Sequence, residues 1–312
     1  MEEEIGVAVF GAGKAGIEHI LTLDRLRRKG VPVRIASIYK SSPNIENLRA
    51  RVNYEIIRDH RTAIYDHTTS PEALLNDKSV HAVVVATPDR YHFGQARISL
   101  NLGKHVLVEK PIVLEPGECS QLIRFSQQNN LLFDVAAQLR EHAPDLESLA
   151  GRIPDLERIN VTYRLKPDPK KPNAGQNILP HILSIFPGDI DVAEYQMHGK
   201  QDVVIFYAQI KGRRVPVFAF MGYTEDPTKL MRRVSFTPKD KSEIVKDHNA
   251  SSVDGKYTET WFAGPVSNPR EAIDRKFIEG INNPGYKDEA EARVGRLNRA
   301  FMRAVELGMP VA

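Results

Sequence analysis

Short, nearly unbroken apolar runs mark the first 140 residues: Ile5 to Phe10, Val33 to Ile38, His81 to Ala86, His105 to Val108 and Leu131 to Ala136, with a weaker run from Tyr54 to Ile57. Each is short, rich in β-branched residues and apolar at consecutive positions, the pattern of a strand buried on both faces. The intervening segments carry helix punctuation. Ser70-Pro71-Glu72 sets an N-cap hydroxyl ahead of a proline at the first helical position, and Gly103 closes a helix that opens near Tyr91. This alternation predicts a parallel sheet covered on both sides by helices.

Beyond about residue 150 the pattern changes. LERINVTYRL, DVVIFYAQI, VPVFAFMGY and MRRVSFTP follow with no helical pattern between the last three, which predicts a mainly antiparallel sheet with one more solvated face. A Pro- and Lys-rich loop, LKPDPKKPNAGQ, interrupts this half, and two helical patterns close the chain around NPREAIDRKFIEGI and DEAEARVGRLNRAFMRAVELG. The expected class is α/β: an N-terminal doubly wound domain over residues 1–125 and an α+β domain over 126–312 that binds substrate and could dimerise.

Composition changes this picture little. The chain has 312 residues, 43 Lys+Arg against 40 Asp+Glu and a formal net charge of +3, and no massed basic tract, so nothing points to nucleic acid. DRLRRKG, the densest basic stretch, reads as the last turn of a helix, where cations suit the dipole. The single cysteine, Cys119, excludes an internal disulfide and reads as a packed helix residue. No apolar run approaches the roughly 18 residues that span a bilayer. The expectation is a cytoplasmic protein that binds a small molecule and neither nucleic acid nor membrane.

The first strand runs directly into GAGKAG. Gly11 permits the tight turn, Gly13 lets the backbone approach a pyrophosphate, and Gly16 lets the following helix pack close to the strand. With Ala12, Lys14 and Ala15 these residues form the candidate dinucleotide turn, its free amides and helix dipole aimed at phosphate. The end of the second strand selects the dinucleotide. An acidic residue there would bind the ribose hydroxyls of NAD; this chain has Tyr39, Lys40, Ser41 and Ser42, which favour the 2′-phosphate of NADP over NAD, with Tyr39 available to the adenine.

Three further motifs follow in order: Ala86-Thr87-Pro88 with His92 beyond it, Gly103-Lys104-His105-Val106, and Glu109-Lys110-Pro111. Together with the glycine turn they resemble the glucose-fructose oxidoreductase, inositol dehydrogenase and rhizopine-catabolism family, Gfo/Idh/MocA. FDVAAQLREHAP resembles that family's entry into its second domain, and VELGMPVA its usual ending. The resemblance implies an NAD(P)-dependent oxidoreductase in which Thr87, Pro88, His92 and Glu109 lie on the cofactor side. It also implies a cis Lys110–Pro111 bond and Lys110 held where a substrate oxygen meets the nicotinamide. Family members commonly pair through the open face of the second sheet; VPVFAF would fit such a contact and fits a core equally well.

Family enzymes also place an Asp and a His one helical turn apart facing the lysine. Here GQNILPHILSIF supplies Asn177 and His181, an i, i+4 pair on one helix face, with Pro180 between them and Ser184 at another commonly acidic position. His181 retains a proton-relay chemistry; Asn177 cannot carry a proton. The reading is hydride transfer at a carbonyl or alcohol carbon of a small, sugar-like or cyclic substrate, with Lys110 and His181 catalytic and Asn177 at the substrate. Two rivals stand beside it: reduction of a C=N bond on a non-sugar substrate, and a dinucleotide sensor without catalysis.

Overall fold

The computed structural model describes residues 4–40, 52, 54–65, 70–137, 140, 143–153, 155–167, 173–198, 201–226, 231–238, 244–247, 259–260 and 269–311. The chain divides into two compact units: Met1–Ala136 with Arg270–Gly295, and Ala137–Pro269 with Arg296–Ala312.

Among the described residues, the first unit holds six parallel strands: β1 Ile5–Phe10, β2 Val33–Tyr39, β3 Ala63–Tyr65, β4 Ala82–Val85, β5 His105–Val108 and β6 Phe133–Val135. Their order, β3-β2-β1-β4-β5-β6, reverses between β1 and β4, and open α/β sheets bind ligands at the carboxyl ends of the strands at such a reversal. The helices are α1 Lys14–Arg28, α2 Tyr54–Asp59, α3 Pro71–Leu75, α4 His92–Asn101 and α5 Glu118–Gln128. Apolar residues of α1 such as Ile20, Leu23 and Leu26 are buried with Val7, Val9 and Ile35 of the strands in one core. The basic stretch ends α1 as expected, with Arg25, Arg27 and Arg28 in its last turn. Ser70 Oγ accepts the Ala73 amide at 3.2 Å, capping α3 with Pro71 at its start, and Cys119 is buried in α5.

Two expectations are corrected. The weak run from Tyr54 to Ile57 is helix α2 rather than a strand; it turns Ile56 into the core with Ile57 packed beside it, and Ala63–Tyr65 pairs with β2 instead. A domain boundary at 125/126 would cut α5 and detach β6, which pairs with β5 through Val106–Phe133 and Val108–Val135. The first unit therefore runs to Ala136. It also takes back Arg270–Gly295, which pattern alone had given to the second domain.

The second unit contains α6 Ala143–Gly151, β7 Leu156–Leu165, α7 Ala174–Ser184, β8 Ile190–His198, β9 Gln201–Ile210, β10 Arg213–Tyr223, β11 Met231–Pro238, β12 Ile244–Asp247 and β13 Glu259–Thr260. The strands order as β13-β12-β11-β7-β10-β9-β8, mainly antiparallel, with β7–β10 and β12–β13 parallel. β8 escaped the sequence reading because most of its side chains are exposed, so it lacks strict alternation. Helices α8 Pro269–Gly280 and α9 Pro284–Glu306 complete the chain.

Three histidines in the first unit accept backbone amides. His81 Nδ1 takes Gly6 N–H at 2.9 Å, His60 Nδ1 takes Ile35 N–H at 3.0 Å, and His105 Nδ1 takes Leu132 N–H at 2.8 Å. Each bond needs an unprotonated nitrogen. Burial, reinforced by the charges of Lys287 and His81, holds His105 down to about 4. The unfolded chain binds this proton near pH 6.5 and the native state only near 4, so stability falls as pH drops across that window and is unaffected by this group below it. Denaturant unfolding at pH 7.5 and pH 4.5 should show His105 contributing a loss of at most about 3 kcal/mol. His105→Gln should show a smaller difference between the two pH values.

Candidate active site

The turn after β1 is built on close backbone approach. Gly11 has φ 101°, donates its amide to Tyr39 O at 2.9 Å, and a Cβ there would lie 2.3 Å from the Ala86 carbonyl oxygen. A Cβ on Gly16 would lie 1.8 Å from Gly11 O, so only glycine lets α1 begin this close to β1. Gly13 is different: a Cβ there meets nothing within 4 Å. Gly13 is the N-cap residue of α1, without a side-chain cap, and the first turn has no acidic residue. Ile17 N–H to Gly13 O, at 3.0 Å, opens the helical bonding, leaving the Lys14, Ala15 and Gly16 amides at the positive end of the helix. Gly13 and Lys14 are exposed and Ala12 and Ala15 half-buried. This is a fitting cradle for a dinucleotide pyrophosphate.

β2 delivers its end beside that turn. The Tyr39 ring, however, packs on Phe10 with centroids 5.2 Å apart and is 9% exposed, so it is a core residue rather than a free surface for adenine. Lys40 is half-buried and donates its amide to Tyr65 O at 3.0 Å. Ser41 and Ser42 lie outside the described residues.

After β4, Thr87 is half-buried with its hydroxyl donating to Gln95 Oε1 at 2.6 Å, and Pro88 is exposed. His92 was expected on the cofactor side. Instead it is fully buried, with Nδ1 2.7 Å from Pro111 O and Nε2 3.0 Å from Thr87 O. Its ring ties the turn after β4 to the turn after β5 and has no surface for a ligand. Burial outweighs the neighbouring carbonyls and carboxylates and lowers its pKa.

After β5, Glu109 donates its amide to Val85 O at 2.8 Å, which sets the Glu109-Lys110-Pro111 turn beside the end of β4. The Lys110–Pro111 bond is cis. Lys110 is half-buried, and its amide donates to Glu109 Oε2 at 3.3 Å. Glu109 itself is 6% exposed. Its Oε1 accepts from Arg270 Nη1 at 2.7 Å and lies 3.4 Å from His19 Nε2. Burial works to raise this carboxyl, but His19, the Arg270 charge and Lys110 together hold it well below the usual carboxylate range. Glu109 is thus a buried anionic anchor held by protein donors.

In the second unit, Asn177 and His181 are both half-buried on α7, one turn apart. Pro180 sits inside the helix. Asn177 Nδ2 donates to Tyr223 Oη at 3.0 Å. Ser184 is buried and returns its hydroxyl to the His181 carbonyl at 2.7 Å. The helix start is fixed from outside by Asp202, whose carboxylate accepts the Gly175 amide at 2.8 Å.

Residues 5–137 match the model of the oxidoreductase family GFO_IDH_MocA, with its NAD-binding Rossmann fold. That match covers less than half of the chain and makes its N-terminal part similar to the Gfo/Idh/MocA family. The UDP-N-acetylglucosamine 3-dehydrogenase of Acidithiobacillus ferrooxidans is 36% identical over 96 residues, 29% of this chain and 30% of that protein. The chain spans only a small part of the length of the curated relatives it matches first, 26% and 18% of two others. Among solved structures, the 3-ketoreductase KijD10 of Actinomadura kijaniata, in complex with TDP-benzene and NADP, superposes with TM-score 0.70 at 14% identity over 98% of each chain. The scyllo-inositol dehydrogenase of Lactobacillus casei, with NAD(H) and scyllo-inositol, gives TM-score 0.67 at 15% identity over 97% of each. These structural likenesses speak for the fold.

Sequence reading missed His19 and Arg270, which lie against Glu109, Asp274, which holds His19, and Tyr223, which holds Asn177. Arg270 lies 161 positions from Glu109, in a helix assigned by pattern to the other domain, so no local signal marks it. His19 lies on α1 three residues past Gly16, and its polarity amid apolar helix positions was the available clue.

The two glycines give opposed predictions. Gly13→Ala should leave the melting temperature nearly unchanged, because the added methyl meets open space, yet should weaken NADPH binding at least about tenfold by occupying the phosphate's approach. Gly16→Ala should cost about 1–3 kcal/mol of stability through backbone overpacking. Thermal melts and fluorescence titration with NADPH separate the two.

Proposed function

We propose that this chain is an NADP-dependent oxidoreductase acting at a carbonyl or alcohol carbon of a small cyclic or sugar-like substrate. One observation carries the reading. The ends of the adjacent strands β1, β4 and β5 bring together the open Gly13 turn, Thr87-Pro88 and Lys110, linked by the bonds Ala86 N–H to Phe10 O and Glu109 N–H to Val85 O. Bound nicotinamide dinucleotide supplies hydride donation or acceptance. Gly11 to Gly16 would hold its pyrophosphate, with Thr87 and Pro88 along the groove.

Lys110, a point charge on a constrained turn, hydrogen-bonds the substrate oxygen and gives or takes its proton. His181 assists as the second proton-handling group, and Asn177 binds substrate by hydrogen bonding alone. The names of the relatives support a polyhydroxylated ring as substrate. For the cofactor, Lys40 and the following serines stand where NAD enzymes carry an acid, which favours NADP. In the second sheet, Val203, Ile205, Phe218 and Phe220 lie half-buried on the face opposite Val204, Phe206, Val217 and Ala219, and a second copy of the chain is the proposed cover.

NADPH should quench or enhance intrinsic fluorescence at lower concentration than NADH; binding of neither would end the enzyme reading. Lys110→Ala should lower turnover by at least about a hundredfold on whichever of scyllo-inositol, UDP-N-acetylglucosamine or a cyclic imine is accepted, with NADPH affinity largely kept. Unchanged turnover would remove Lys110 from the chemistry, and preference for the imine would favour C=N reduction. Light scattering should give at least a dimer, and Phe218→Asp should shift it toward monomer.

A further inference from the structure

The first unit contains a buried charged cluster with no counterpart in the reading above. α8 contributes Arg270 and Asp274, one turn apart; α1 contributes His19; the turn after β5 contributes Glu109. His19 and Asp274 are 0% and 1% exposed, and Arg270 and Glu109 are 9% and 6% exposed. Arg270 Nη1 lies 2.7 Å from Glu109 Oε1 and 2.6 Å from His19 Nε2, while His19 Nδ1 lies 2.8 Å from Asp274 Oδ1. Arg270 Nη2 extends to Glu18 Oε2 at 3.1 Å.

The chemistry fixes the direction of these bonds. A guanidinium only donates, so at 2.6 Å from Arg270 the Nε2 of His19 must offer its lone pair and Nδ1–H must donate to Asp274. Burial is the largest influence on His19 and, with the Arg270 charge, opposes its protonation, but Asp274 and Glu109 together raise the ring above its ordinary value; the contact with Arg270 is nonetheless that of an unprotonated Nε2. Arg270 therefore spends one nitrogen on two acceptors, and His19, anchored by Asp274, prevents it from swinging away. What remains of Glu109 is Oε2, which accepts the Lys110 amide.

A buried ion pair adds little net stability compared with apolar packing, while an unpaired buried charge is costly. The cluster is better accounted for by position than by stability. We propose that Arg270, backed by His19 and Asp274, is a positioning residue for Lys110: it pins the Glu109 carboxylate, which in turn fixes the backbone from which the lysine projects and sets the field at its ammonium. The proposal rests on Lys110 acting at the substrate oxygen, but its test does not require turnover.

The test is reductive ¹³C-methylation of the folded protein, with the Lys110 signal assigned by its loss in Lys110→Arg and its titration followed by NMR. Arg270→Met removes the guanidinium from Glu109, leaves more negative charge beside Lys110 and should raise its midpoint by about half a pH unit or more. Arg270→Lys should bring it back toward the wild-type value. Glu109→Gln/Arg270→Met, which removes both charges and so avoids the buried carboxylate without its guanidinium, should bring the midpoint below that of the wild type.

On the accepted substrate, Arg270→Met should reduce kcat by about 10- to 100-fold with NADPH affinity within about threefold. An unchanged Lys110 titration in folded variants, or a fall in melting temperature with kcat intact, would reduce the cluster to a structural role. Loss of the Lys110→Ala effect, by contrast, would refute the lysine's chemistry without touching this result.

Discussion

The contact on which the rest of the first unit depends is the backbone approach of the β1 turn to the end of β4. Gly11 stands so close to the Ala86 carbonyl that no Cβ fits between them, and Gly16 stands closer still to Gly11. Side chains cannot mediate such a contact, so its precision comes from the backbone itself. Once α1 is seated this tightly, its first amides have a fixed direction and Gly13 faces open space. The exposed amides at the start of α1 are therefore a consequence of backbone packing.

From that contact the site propagates along the sheet through short backbone bonds. Ala86 is bonded to Phe10 and Glu109 to Val85, so the three strand ends move as one body. His92 adds a cross-tie, its ring clamped between Thr87 O and Pro111 O. As a neutral imidazole it has one N–H, so it donates to one of these carbonyls and packs against the other, filling the space between the two turns. That role differs from ligand contact, although both place the same residue in the same motif.

This difference shows what could be read from sequence and what could not. The apolar runs gave five of six strands of the first sheet because burial on both faces leaves few alternatives. The Tyr54 to Ile57 run failed because two adjacent isoleucines suit one side of a helix as well as a strand. The glycine turn and the Glu109-Lys110-Pro111 turn were legible because each needs particular residues at fixed spacing. The functions of Tyr39, His92 and Glu109 were not, since a motif gives position along the chain but not whether a side chain faces ligand or core. Residues 270 to 295 were assigned to the wrong unit for a similar reason: helical periodicity reports an apolar face without identifying what covers it.

The return of that segment gives the first unit something the alternating pattern could not supply. The ends of β1, β4 and β5 offer backbone amides and a carboxylate, but no guanidinium to hold the carboxylate in place. α8 provides one, and one turn later it provides the aspartate that orients the histidine between them. A charge placed at 6% exposure cannot be steadied by water, so its geometry must come from protein donors. Lys110 follows immediately in the chain, and a fixed Glu109 leaves its backbone with little freedom. The precision of the lysine turn is thus set jointly by a helix near the start of the chain and one near its end.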